Sequence, residues 1–263
     1  MAFPLEYPFV QQAMISGILI AVTCGVLGIY AVLRRLSFLS DAIAHTSLMG
    51  IAASLPLGIN PTIGAFFAAI LASLGIRKVG KGNISNDASM AIIFTFGLAA
   101  GIILLFMFKP TSVDVTSFLF GSILSIDQSD FFFSMAIAAI SLSIAALMHH
   151  DLVHVCLDED MARASGVAVE RVDTVFFLLV ALSTISALRI AGVLLVSALT
   201  VVPASSALLF RRGFAQTTML SVFFGVMSIV IGIFASFYLN LPTGAAIAVC
   251  SVLIFLASKV ANR

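Results

Sequence analysis

The sequence predicts an all-α, polytopic membrane protein of about nine transmembrane helices. Three observations carry this reading: 61% of the 263 residues are hydrophobic, only 10% are charged, and the mean hydropathy is +1.20. A water-soluble domain carries about 25% charged side chains. Because a hydrocarbon core of roughly 30 Å takes about 20 apolar residues per helix, the chain has room for about eight to ten spans and for no large soluble catalytic or nucleotide-binding domain. Residues 1–263 are therefore expected to form a single transmembrane domain. The formal net charge of +1, with no clustered basic face, excludes a nucleic-acid partner. Cys24, Cys156 and Cys250 lie far apart with no CxxC pair, which indicates neither a disulfide framework nor a thiolate zinc site.

The opening residues MAFPLEYPFV contain Glu6 and no Lys or Arg ahead of the first apolar run, unlike a secretory signal, so that run is expected to be a retained helix. Pro4 and Pro8 precede it, where a missing backbone donor costs nothing, and Arg34 and Arg35 end it after Phe9 to Leu33. Further apolar runs occupy 37–57, 61–77, 89–108, 130–148, 173–188, 190–210, 216–238 and 242–258. Gly58, Asn60 and Pro61 predict a tight turn, Lys78 to Asn86 a polar loop, and Asn240 with Pro242 the last break. The stretch 112–126 is too short to cross alone and reads as a re-entrant or interfacial helix. With the N-terminus outside, Arg34, Arg35, Arg77, Lys78, Lys81, Arg163, Arg171, Arg211, Arg212, Lys259 and Arg263 fall inside. Only Lys109 and Arg189 fall outside, so an N-out, C-in topology satisfies the positive-inside rule along the whole chain.

The one long polar insertion, about 149–173, lies between the fifth and sixth spans and is cytoplasmic by the same count. Its DEDMARASG stretch predicts a short helix, with Asp158 to Asp160 favoured in the first turn by the dipole and Gly166 suited to the stop. The insertion also holds His149, His150, Asp151 and His154 at ligand-like spacing, at a membrane edge where a solvated histidine needs no special role and where an exit or regulatory metal site is the alternative. Gly75 to Gly82 nearly spells a phosphate-binding loop; Gly82 stands where Ser or Thr belongs and no strand precedes it, so ATP hydrolysis is expected on another chain. Neither HExxH nor GxSxG occurs, and the chain is expected to be a transport subunit rather than an enzyme.

The second span carries the chemistry. A charge near the bilayer centre costs at least about 2.5–3.5 kcal/mol, and in LSFLSDAIAHTSLMGIAASLP a helix starting near Leu36 places Asp41 one turn in and His45 close to the midplane. Four-residue spacing puts both on one helix face. An oxygen and a nitrogen donor together suit a divalent ion such as manganese, zinc or ferrous iron. Two donors are too few for such an ion, so a twofold axis beside this helix is expected, with Ala42, Ala44, Ser47 and Gly50 permitting close approach of a second copy.

Four segments, RRLSFLSDAIAHTSLMG at 34–50, FLFGSIL at 118–124, LDEDMARASGV at 157–167 and RIAGVLLVSALTVVPASSALL at 189–209, together resemble the integral-membrane permeases of ATP-binding-cassette importers for zinc, manganese and iron. The resemblance departs at Met49, where that family often has proline. It implies a type II ABC-importer-like permease in the prokaryotic cytoplasmic membrane. The implied partners are a second copy of the chain, a cytoplasmic ATPase dimer and an extracytoplasmic metal-binding protein. No permanently bound cofactor is implied, and ATP would be used on the partner subunits. The resemblance gives Asp41 and His45 to the transported ion, and Asp158, Glu159, Ala162 and Gly166 to a helix that couples to the ATPase. It also favours close packing at Gly192 and Ser197 and a kink at Pro203. The alternative is a stand-alone proton-coupled transporter or channel using the same Asp and His, which would need a carboxylate relay that no other span supplies.

Overall fold

The computed structural model describes residues 8–81, 84–108 and 128–262, and every regular element among them is a helix. In chain order these are α1 (Pro8–Leu33), α2 (Leu39–Ser54), α3 (Pro61–Gly80), α4 (Asn86–Phe108), α5 (Gln128–Leu147), α6 (His149–Leu157), α7 (Glu159–Ala164), α8 (Val169–Ala191), α9 (Val193–Thr200), α10 (Val202–Leu208), α11 (Phe214–Leu239) and α12 (Thr243–Ala261). The stretch 112–126, the motif at 118–124, Lys109, Gly82, Arg263 and the residues before Pro8 lie outside the described residues.

All nine expected runs contain helix, but they differ in kind. Six of the described helices are long and apolar enough to cross a membrane: Val10–Leu33, Pro61–Gly80, Asn86–Phe108, Val169–Leu188, Phe214–Leu239 and Thr243–Ala261. The fifth run joins α6 through a 67° bend, and the pair would make a seventh. The other two runs, the second and seventh, are short or broken. α2 has 16 residues, about 24 Å at 1.5 Å per residue, less than a hydrocarbon core. Its start is Leu39 rather than near Leu36, because α1 closes first. Arg35 takes the left-handed conformation (φ 57°), Leu36 N–H bonds Ala31 O at 2.8 Å and Arg35 N–H bonds Val32 O at 3.1 Å, a Schellman closure that consumes residues 34–36.

The seventh run also needs correction. α8 continues through Arg189 to Ala191, and the break falls at Gly192 (φ 75°). Pro203 then stands at the start of α10, where it lacks no intrahelical donor, so the helix interrupts at Val201 rather than bending around the proline. α3 extends three residues past its expected end, turning the first part of the near phosphate-loop into helix. Asn60 caps α3 by accepting from Thr62 N–H at 3.0 Å, with Pro61 next, as the turn residues predict.

The helices form two compact units. One contains α1, most of α5, the end of α8, and α9 to α12; the other contains α2, α3, α4, α6, α7 and most of α8. In the first, α1 packs on α11 and α12 packs on α11 and α9. Ile20, Ala21 and Cys24 of α1 meet Leu195, Val196 and Leu199 of α9 and Ile229 and Ile233 of α11 in its core. Membrane helices associate through close packing rather than by escaping water. Accordingly, a Cβ on Gly28 would sit 2.0 Å from Thr200 O, and Ser221 Oγ donates to Gly25 O at 2.9 Å. In the second unit α2 is the centre, packed against both α3 and α4.

Candidate metal pathway and coupling segment

Two glycine contacts wedge α2 into place. A Cβ on Gly50 would lie 2.1 Å from Gly64 O, and one on Gly64 would lie 2.2 Å from Gly50 O, so α2 and α3 touch backbone to backbone. On the α4 side a Cβ at Gly97 would lie 2.6 Å from Thr46 Cα, and one at Gly101 would lie 3.0 Å from Met49 N. Thr46 Oγ1 stands 2.7 Å from Ala42 O of its own helix and 3.2 Å from Ile93 O of α4. The sequence signal for this contact is the Gly-x-x-x-Gly of Gly97 and Gly101, a spacing that lets apolar helices approach closely.

After this packing twelve of the sixteen residues of α2 are buried. The four that are not, Asp41, His45, Met49 and Ala53, recur every fourth residue and form a single half-exposed stripe. The structure thus brings both expected ligands onto the only accessible face of α2. It overturns one expectation: Ala42, Ala44, Ser47 and Gly50 are buried within this chain, where they permit α2 to pack on its neighbours, and so do not form the face expected to meet a second copy.

The His45 ring is held by two contacts. Its Nδ1 lies 3.0 Å from Asp41 O. A carbonyl only accepts, so Nδ1 is the donor of this bond, and in the neutral imidazole Nε2 is then the nitrogen that offers a lone pair to an ion, the usual arrangement behind a ligating histidine. The ring meets Phe94 of α4 edge-on, centroids 4.7 Å apart, and Phe94 also touches Phe38 at 5.3 Å. Phe94 is a positioning residue that sequence reading missed, because one phenylalanine in an apolar run carries no mark of its neighbour. Asp41 lies in the first turn of α2, and His45 lies six residues from Leu39, about 9 Å along the axis. Among the described residues no group of three or more His, Cys, Asp or Glu converges to hold a metal.

The polar insertion folds as α6, the single extended residue Asp158, α7, a turn and the first residues of α8. α7 forms where the sequence predicts a short helix, with Glu159 and Asp160 in its first turn but Asp158 ahead of it. Asp158 is the N-cap, its Oδ1 accepting from Asp160 and Met161 N–H at 2.9 Å each. Gly166 (φ 85°) closes the helix through Val167 N–H to Ala162 O and Gly166 N–H to Arg163 O, the Schellman pattern. Glu159 accepts from Arg163 at 2.7 Å, a bond that raises the guanidinium pKa above its ordinary value. Ala162 is buried beneath the helix. A cavity of about 230 Å³ lined by His154, Leu157, Asp158, Met161, Ala162 and Ser165 opens beside α7. Leu157 and Met161 leave its rim apolar and exposed, 75% and 69%. His149 and His150 are exposed, and the His150 and His154 rings stand 4.2 Å apart. At the start of α8, Glu170 bonds Lys81 Nζ at 2.8 Å, and Glu170 O accepts from Arg77 at 2.7 Å, so the end of α3 and this insertion lie on the same side.

A profile described as the ABC 3 transport family matches residues 6–262. The chain is 36% identical over 252 residues to the "Manganese transport system membrane protein MntC" of Listeria monocytogenes, covering 95% of this chain and 90% of that protein. It is 32% identical over 254 residues to the "Chelated iron transport system membrane protein YfeC" of Yersinia pestis, covering 96% and 86%. Among solved structures, "PsaBC from Streptococcus pneumoniae in complex with Fab" superposes with a TM-score of 0.85 at 31% identity, covering 97% of this chain and 92% of that one.

Proposed function

The chain belongs to the ABC 3 transport family, and from that premise we propose that it is the permease subunit of an ATP-driven importer for a divalent transition ion. The relatives are named for manganese and for iron transport, and those ions are its proposed substrates. Zinc fits the same donors. The observation that carries the reading is the α2 stripe: a helix buried all round except along the line that bears Asp41 and His45, with His45 Nε2 left as a lone-pair donor.

The proposed mechanism uses two copies of the chain in a prokaryotic cytoplasmic membrane, N-out and C-in with nine spans. Facing stripes on either side of a twofold axis supply two carboxylates and two imidazoles, enough to replace part of an ion's hydration shell. An extracytoplasmic binding protein delivers the ion. A cytoplasmic ATPase dimer engages the 149–173 segment at α7, with the apolar rim of Leu157 and Met161 as contact surface. Asp158 and Gly166 act there by shaping α7, Ala162 by seating it, and Glu159 by presenting charge. ATP-driven movement of α7 then shifts the population between outward- and inward-open packings, which requires that the ion favour one of them.

The test is uptake of radioactive manganese and ferrous iron into proteoliposomes containing the chain, with ATP on the ATPase side. Transport is expected only with the ATPase and the binding protein both present. Ion movement by the chain alone, driven by a proton gradient, would replace this reading with that of a secondary transporter.

A further inference from the structure

Outside the α2 stripe two imidazoles come together on α6. His150 and His154 are four residues apart with ring centroids 4.2 Å apart and planes tilted by 53°. Their orientation is fixed from beneath: Leu152 and Val155 are buried at 1% and 5% exposure, which anchors the apolar side of α6 and turns the histidine side outward. His150 is exposed and His154 half-buried, so an ion can reach both. Two histidines at this helical spacing are the minimal arrangement by which a single helix holds one zinc-class ion, water completing the shell. Two neutral nitrogens favour zinc, nickel and cupric ions over manganese, which stands lowest in the divalent series.

We propose that His150 and His154 form a two-imidazole site for a zinc-class divalent ion, separate from Asp41 and His45, whose occupation restrains the α6–α7 segment. His154 belongs to both structures: it is one of the two donors and it lines the cavity beside α7. Coordination fixes its ring and with it one wall of that cavity. A manganese-poor, zinc-rich compartment would thereby slow transport at the segment assigned to the ATPase. The regulatory consequence rests on the proposed importer function, whereas the binding site does not.

The binding arm uses the full chain in lipid nanodiscs, carrying Asp41→Asn and His45→Ala to silence the α2 pair, with zinc uptake measured by equilibrium dialysis. Bound zinc is expected in this background and is expected to be lost on adding His150→Ala or His154→Ala, with excess manganese failing to displace it. Zinc retained in full after both His150→Ala and His154→Ala are added overturns the site. A second measurement needs no substitution: zinc is expected to protect His150 and His154 from carbethoxylation, read by mass spectrometry, and equal labelling with and without zinc overturns it as well. In the reconstituted system, zinc on the ATPase side is expected to slow manganese uptake by the unaltered chain and to lose that effect in His150→Ala. Equal inhibition of both overturns the regulatory role. Absence of ATP-driven uptake in any condition would instead count against the importer reading, and leaves the dialysis result to stand by itself.

Discussion

α2 and the α6–α7 segment carry the two sets of residues to which the proposed function assigns ion binding and ATPase coupling, and they are held in opposite ways. α2 has no side-chain cap, and what orients it is distant in sequence: Gly64, Thr46 against Ile93, Gly97 and Gly101. α7 is specified within nine residues, from the Asp158 cap to the Gly166 closure. Their glycines make the same contrast. Gly50 is required because Gly64 O occupies the space of a Cβ, whereas Gly166 has nothing within 4 Å and is required only by its φ of 85°. A site built from remote contacts is rigid and intolerant of change in its neighbours; one built from local bonds can form, move and be remade as a unit. Those are the properties wanted of an ion site and of a coupling element.

The sharpest way to break the comparison is at the two glycines. Gly50→Val is expected to eliminate folded, membrane-inserted protein, because the added side chain would meet the Gly64 backbone and the Ala68 Cβ of α3, neither of which can swing aside. Gly166→Ala is expected to cost only about 1 kcal/mol in thermal unfolding, as for other left-handed positions. A mild Gly50→Val phenotype would show that α2 and α3 can separate freely. Next in size, Asp41→Asn and His45→Ala are each expected to abolish ATP-driven metal uptake while insertion remains normal; near-normal uptake removes the stripe from the pathway. Phe94→Ala releases the His45 ring, and an edge contact of about 0.5–1.5 kcal/mol predicts a fall in uptake of roughly 2- to 13-fold, with Phe94→Tyr retaining most of it.

The smallest effect concerns the coupling segment. Asp158→Ala removes the α7 cap, worth about 1 kcal/mol, and is expected to weaken co-purification of the ATPase, with Asp158→Asn restoring it because asparagine caps equally well. Glu159→Lys leaves the cap in place and reads charge alone. Co-purification lost in Glu159→Lys but kept in Asp158→Ala would reverse the roles given to these two neighbours.

How much of this was legible beforehand follows from the same contrast. The Asp158 cap, the Gly166 stop and the Asn60–Pro61 start of α3 were readable because donor, acceptor and turn lie within a few residues. Asp41 and His45 were readable because ionisable residues are rare in apolar runs. The assignment of Ala42, Ala44, Ser47 and Gly50 to an interface between copies failed, since small residues announce a close approach without naming which helix approaches. The start of α2 was misplaced because an arginine, rather than a glycine, takes the left-handed closing position. Phe94 was invisible for a related reason.

The sequence by itself determined a helical membrane protein, the positions of nine apolar runs, the family to which it belongs, and the candidate donors Asp41 and His45 in the second run. Only the tertiary structure decided which face of α2 stays open, where α2 begins, which phenylalanine braces His45, and that the seventh run is broken at Gly192 and Val201. The physical reason is the solvent. In water a buried face is marked by its apolarity, but in a membrane lipid is as apolar as the protein interior, so burial leaves no trace in composition and is fixed by shape alone.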